Sequence, residues 1–222
     1  MSLETTGDAP LLRESAAWRL LGLLFERPHD GWREEVDALE PIAADPALSL
    51  AVAAAREEAC EEAFLAILAP AVVSPREVTW QRGADSGQLL AEIRATYDAF
   101  AFRPETEEAP DHVSVEAGFV GWLLLKEAYA RAAEMPDAAV LTAEARARFQ
   151  KAHVARLAAA LAENLDRWGV SYLTLAAAAL AARAGEPEAM PSLDAPATPC
   201  SEGCAFTGEE EGEEDDTIGE RP

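Results

Sequence analysis

The sequence predicts an all-α protein, on three observations. Alanine dominates, with Leu, Glu and Arg next, and all four are good helix formers. Runs of Val, Ile and Thr, which favour strands, are nearly absent. Hydrophobic residues make up 50% of the 222, enough to bury a sizeable core, and they recur at helical spacing. The expected architecture is a single helical-bundle-like domain over 11–185, built of two helical halves joined by a polar hinge at about 103–110. A flexible N-terminus, 1–10, precedes it, and a disordered acidic tail, 186–222, follows.

The first helix opens at Pro10 after Asp8 and carries Leu12, Ala16, Leu20, Leu21, Leu24 and Phe25 at helical spacing as far as Pro28. A short second helix, 31–40, fits between Pro28 and Pro41. Asp45-Pro46 starts a longer one bearing Leu50, Ala53, Ala59, Phe64, Leu65 and Leu68, which Pro70 and Pro75 end. Residues 72–87 hold Pro75, Gly83 and Gly87 around Thr79-Trp80 and show no period, so they read as a loop. Asp85 or Ser86 then caps a helix through Leu89, Leu90, Ile93, Tyr97 and Phe100. The polar run 103–110 is the hinge, and Asp111 is placed to cap a helix reaching about Glu134. Pro136-Asp137 separates that helix from another running to Trp168, and Gly169 breaks the chain before a last helix ending at Ala184.

Charge narrows the functional classes. The formal net charge is −23; residues 186–222, with twelve acids and one base, supply −11 of it and leave −12 on the rest. Such a chain repels a phosphate backbone and anionic lipid heads, so neither nucleic acid nor stable membrane insertion is expected. The most apolar run, 176–182, is far shorter than the ~18 residues of a spanning helix. The first ten residues lack the basic region and apolar core of an export signal, and the three cysteines suit a reducing compartment, so the expected location is cytoplasmic. The tail lacks the apolar content to fold.

The segment Glu108-Ala-Pro-Asp-His-Val-Ser-Val-Glu116 concentrates the chemistry. His112 and Glu116 stand four apart and share a helix face, while Asp111 at the cap can accept backbone N–H groups. A histidine beside two carboxylates at a hinge can hold a basic or amide-rich peptide, and the same residues can serve as plain capping with an i,i+4 pair. Helical di-iron sites use paired Glu-x-x-His motifs. Neither His112 nor His153 has a Glu three residues earlier, so no metal and no cofactor is expected. No Gly-x-Ser-x-Gly elbow or phosphate-binding glycine loop exists, so no catalytic residue is assigned and the chain reads as a non-enzyme. His153 lies on the row Phe149, His153, Leu157, Leu161, Leu165, Trp168 and reads as a core histidine. Trp80 either lines a pocket or closes the core. Cys200 and Cys204, four apart in the tail, suit a metal, a reversible disulfide or no role, and Cys60 sits in a helix as a structural residue.

With these residues laid out, the chain resembles the TorD/DmsD/NarJ family of molybdoenzyme maturation chaperones. Glu108-x-Pro110-Asp111-His112-x-x-x-Glu116 with Phe119 resembles the family's E-x-P-D-H-x-x-x-E-x-x-F signature. The helix from Ser86 to Tyr97, the Phe149-x-x-x-His153-Val154 element and the early stretch Arg19 to Phe25 resemble further family elements, over about 12–184 in all. Ala117-Gly118 and Val154 depart from the bulkier or Leu residues usual there. The resemblance implies a cytoplasmic, all-helical, non-catalytic chaperone. It would bind the apo catalytic subunit of a molybdopterin oxidoreductase, and its twin-arginine leader peptide, during cofactor insertion, and it would prevent premature export. Asp111, His112 and Glu116 would then be polar contacts, with Trp80, Tyr97 and Phe100 as apolar wall. An acidic binder suits a basic, apolar leader. A permanent small subunit of a respiratory molybdoenzyme complex and a helical metalloenzyme are the rival readings. A long hinge also permits either a monomer or a domain-swapped dimer.

Overall fold

Helix α1 (Ala9–Leu24) anchors the core because every residue of its second half except Arg19 is buried. Trp18, Leu20, Leu21, Leu23, Leu24 and the adjoining Phe25 are all buried. Such a helix needs neighbours all round. It receives α6 (Val113–Ala132), α2 (Trp32–Ala43) and α9 (Ser171–Ala184) in the computed structural model, which describes residues 8–68, 72–81, 83, 85–168 and 170–187. Every regular element among the described residues is helical, with Arg76 and His112 forming an isolated β-bridge. The tail from 188 on, with Cys200 and Cys204, lies outside the described residues, as do residues 1–7.

The α1–α6 seam is tight because it is lined with glycine. A Cβ on Gly22 would sit 3.0 Å from the Ser114 carbonyl, and one on Gly121 would sit 3.1 Å from that of Ser15. The Ser15 hydroxyl donates to the Gly121 carbonyl across the same seam at 2.7 Å. Helices from both sides of the 103–110 linker therefore share one core.

Helix α3 (Pro46–Glu58) packs on α9, and its Asp45 cap accepts from the Leu48 amide at 2.9 Å, as predicted. Three expectations are corrected. Helix α2 runs through Pro41 to Ala43, with Pro41, which has no N–H, giving up one bond of the helical ladder. The long third helix is two, α3 and α4 (Glu61–Ile67), broken at Ala59-Cys60 with no Pro or Gly to mark the break. The Arg33 guanidinium makes the break tolerable, donating to the freed carbonyls of Arg56 at 2.6 Å and Ala59 at 2.9 Å. Cys60 is thus an exposed N-cap rather than a mid-helix residue, and the buried face of α3 is Leu48, Ala51, Val52 and Ala55, with Leu50 exposed.

Helix α5 (Ser86–Ala99) starts on the Asp85 cap, whose carboxylate accepts from the Gln88 amide at 2.9 Å. Residues 72–81 are the expected loop apart from one 3-10 turn at Glu77–Thr79. The helix predicted to run to Trp168 is α7 (Pro136–Phe149), a π-turn (Gln150–Val154) and α8 (Ala155–Leu165), which leaves Trp168 exposed beyond its end.

The seam yields a stability prediction. Gly121→Ala should lower the urea unfolding free energy by about 1–3 kcal/mol, the range for overpacking. Gly118→Ala, whose Cβ meets nothing nearer than the Phe102 ring at 3.8 Å, should leave stability unchanged or gain up to about 1 kcal/mol of helix propensity.

Candidate functional site

The chemistry gathers where the start of α6 meets residues 72–81. Asp111 is fully buried and is not the cap of α6; the cap is His112, in extended conformation, whose Nδ1 accepts from the Ser114 amide at 3.2 Å. Asp111 instead turns back to the loop. Its Oδ1 accepts from Arg76 Nε at 2.9 Å and lies 2.8 Å from Arg76 Nη2, and its Oδ2 accepts from the Val78 amide at 3.2 Å. The backbone repeats the connection, with the Glu77 amide donating to the Asp111 carbonyl and the Val113 amide to the Pro75 carbonyl, both at 2.9 Å. Asp111 thus fastens the loop to the helix.

His112 also leaves its expected partner. Its Nδ1 faces the Ser114 hydroxyl at 2.7 Å, not Glu116, and its Nε2 lies 3.9 Å from the Glu108 carboxylate. Burial drives the imidazole down from its usual 6.5 to about 4, the Asp111 carboxylate opposing that shift and the Arg76 guanidinium adding to it. At neutral pH His112 is therefore an uncharged acceptor.

Glu116 is fully buried and, among the described residues, no N–H or O–H donor reaches either of its oxygens. The group beside it is another buried carboxyl, Glu77. Two acceptors face each other, and a proton on Glu116 converts them into a donor and an acceptor. Burial first, then the charge and hydrogen bond of Glu77 and the charge of Asp111, raise the Glu116 carboxyl well above its ordinary range. Glu77 has outside partners as well: Gln81 donates to its Oε1, and His153 Nδ1 lies 3.0 Å from its Oε2.

The residues expected to form an apolar wall are not brought together. Tyr97 is buried, its ring 4.6 Å from Phe119 and 5.1 Å from Phe102, and its hydroxyl donates to the Pro110 carbonyl at 2.8 Å. Burial and the nearby carboxylates Glu116, Glu77 and Asp111 raise that hydroxyl well above 10. Trp80 packs partly buried against the core, its indole donating to the Ser74 carbonyl at 3.0 Å. Phe100 lines a separate cleft with Trp122, Leu125 and Tyr129. The cleft beside His112 holds about 710 Å³; its apolar side is Phe64, Leu65 and Leu68, and its rim includes Glu105, Glu107 and Glu108 of the linker. Arg27 and Arg76 also border it, but Arg27 pairs with Glu61 at 3.4 Å and Arg76 with Asp111.

Asp111 and Glu116 do not reach this surface; they are buried behind it, because their partners are Arg76, Val78 and Glu77 of the loop. Sequence reasoning missed Glu77, a lone acid in a segment without period, and the cleft residues of α4, hidden by the unmarked helix break. It also left His153 in the hydrophobic row, although Glu77 is its partner. No group of His, Cys, Asp and Glu among the described residues is arranged to hold a metal ion. No helix among them is long and apolar enough to cross a membrane. No protein-family model matches the chain, and neither a curated protein nor a solved structure does.

His112 supplies a pH prediction. In the fold it stays neutral down to about pH 4, whereas the unfolded chain takes up the proton near 6.5, so the unfolded state is favoured as pH falls through that window. The stability difference between wild type and His112→Asn, which keeps a capping acceptor without titrating, should shrink or reverse by on the order of 2–3 kcal/mol between neutral pH and about pH 4. Urea melts across that range measure it.

Proposed function

We propose that the chain is a maturation chaperone of the TorD/DmsD/NarJ kind. It binds the apo catalytic subunit of a molybdopterin oxidoreductase, with its twin-arginine leader, until the cofactor is inserted. The observation that carries this reading is the cleft beneath the 103–108 linker. The signature Glu108-x-Pro110-Asp111-His112-x-x-x-Glu116 borders that cleft on the chain, and its members divide the labour. Glu108 and His112 line the cleft, while Asp111 and Glu116 secure the loop that supplies its Ser74, Pro75 and Arg76. An apolar side of Phe64, Leu65 and Leu68 under an acidic rim fits a segment that is apolar along one part and basic along another. With both bordering arginines engaged by carboxylates, the rim favours cations.

One observation favours the second reading, a permanent small subunit. Leu125, Tyr129, Met135 and Leu141 are exposed together on α6, α7 and the turn between them, lining the cleft of about 650 Å³ that Phe100 also lines. Apolar groups concentrated in this way mark lasting protein contacts.

Affinity purification from the native host under reducing, anaerobic conditions separates the two. A captured catalytic subunit that lacks molybdenum and keeps its leader supports the chaperone; a mature, molybdenum-loaded complex makes the chain a resident subunit. Replacing Glu105, Glu107 and Glu108 together by Gln should lower capture of the immature subunit by about tenfold or more and leave helix content intact, since the three are exposed. Leu141→Asp should spare that capture, and loss of a mature complex through Leu141→Asp would favour the resident subunit.

A further inference from the structure

We propose that Glu77, Glu116 and His153 form a one-proton latch: a proton shared by the two carboxyls holds residues 72–81 against α6, and its departure loosens that loop and widens the cleft the loop borders.

The geometry has three parts. First, Glu116 is not satisfied as a carboxylate, since no donor among the described residues reaches it and its neighbour is an acid. Among the described residues, the groups facing the pair are Asp111 and Arg76 at the loop junction, His112 at the start of α6, Tyr97 of α5 and His153 of the π-turn. Of these, Arg76 is committed to Asp111, the Tyr97 hydroxyl to the Pro110 carbonyl and His112 Nδ1 to Ser114. Loss of the proton therefore leaves one more buried negative charge among Glu77, Glu116 and Asp111, with no donor for Glu116.

Second, the pair has an exit to solvent. The His153 side chain is 13% exposed, while Glu77 is fully buried, and His153 Nδ1 contacts both Glu77 oxygens, at 3.0 and 3.3 Å. A proton can pass from Glu116 to Glu77 and on to His153 Nδ1, and the ring then releases its other proton, from Nε2, to a base in solvent; His153 is left as the Nδ1–H tautomer, facing the Glu77 carboxylate. Third, the helix is irregular where this contact is made. The π-turn Gln150–Val154 adds a residue to one turn, rotating α8 by about 100° relative to a continuous α-helix, and such turns gather at functional sites. His153 lies inside it, ring against ring with Phe149 at 4.7 Å and with its nitrogen on Glu77.

The loop end of the latch matters because Ser74, Pro75 and Arg76 border the cleft while Glu77 anchors them from behind. A proton bound by the closed form and absent from the loosened one makes closure weaken as pH rises above the ordinary glutamate range. The latch stands on the fold alone; only its link to client binding rests on the chaperone reading, and its test needs no client.

Hydrogen exchange of the Glu77, Val78 and Trp80 amides in the full-length chain, corrected for intrinsic rates, reads the latch from about pH 6 to about pH 9. Protection should fall with pH in wild type, by up to about tenfold per unit over the range where the closed form holds the proton and the loosened form does not. Glu116→Gln gives Glu77 a donor that cannot dissociate, so its protection should stay level. Glu77→Gln supplies the donor from the other side and serves if the first variant does not fold. Protection independent of pH in wild type, or the same fall in a folded Gln variant, overturns the proposal.

Discussion

The fold depends on how closely α1 and α6 approach. α1 carries too much apolar surface to be covered from one side, and α6 covers it because glycines at 22 and 121 let the two backbones nearly touch. That contact also fixes the functional region. The Ser114 carbonyl beside Gly22 belongs to the first turn of α6, so the turn bearing His112, Ser114 and Glu116 is held to the buried second half of α1. Against this fixed edge the loop 72–81 can be docked by a few polar contacts.

Those contacts decide the character of the cleft. Asp111 draws Arg76 inward, which takes the cleft's nearest cation out of play, and the acids of the linker remain outside on the rim. The same carboxylate receives the Val78 amide, so the acid that shapes the electrostatics also shapes the loop. Electrostatic preference and backbone position are therefore coupled through one side chain. A change at Asp111 alters both, whereas changes at Glu105 or Glu107 touch the surface alone.

The all-α class was legible in composition and period, and so were the helix starts marked by Pro10, Asp45-Pro46, Asp85 and Pro136, because those residues act within one turn of themselves. What was not legible depends on distant partners. The break at Cys60 is tolerated because Arg33, far back in sequence, takes up the carbonyls it frees. Asp111 reads locally as an ideal cap, yet Arg76 and the Val78 amide draw its carboxylate away from the first turn of α6, and His112 caps in its place. The motif around His112 was found by its residues, while Glu77, which completes the cluster, has no local mark. The π-turn is equally silent: Phe149, His153 and Leu157 keep a four-residue spacing whether the turn is α or π.

The two buried glutamates of α6 show that the lonely state of Glu116 is a matter of placement and not a limit of this chain's chemistry. Glu127, further along the same helix and 1% exposed, is met by Arg131 one turn on and by Arg146 of α7 at 3.3 Å, so each of its oxygens has a guanidinium partner. Glu116 is as deeply buried and is met by another acid. A carboxyl that only had to fill space would be better replaced by Leu or Gln, since a buried acid without a donor destabilises the fold at neutral pH. The surroundings accept that cost and place beside it a second carboxyl, a histidine reaching solvent and a helical irregularity that aims the histidine. Glu127 belongs to the scaffold. Glu116 belongs to the part of the molecule whose closure is held only as firmly as its proton.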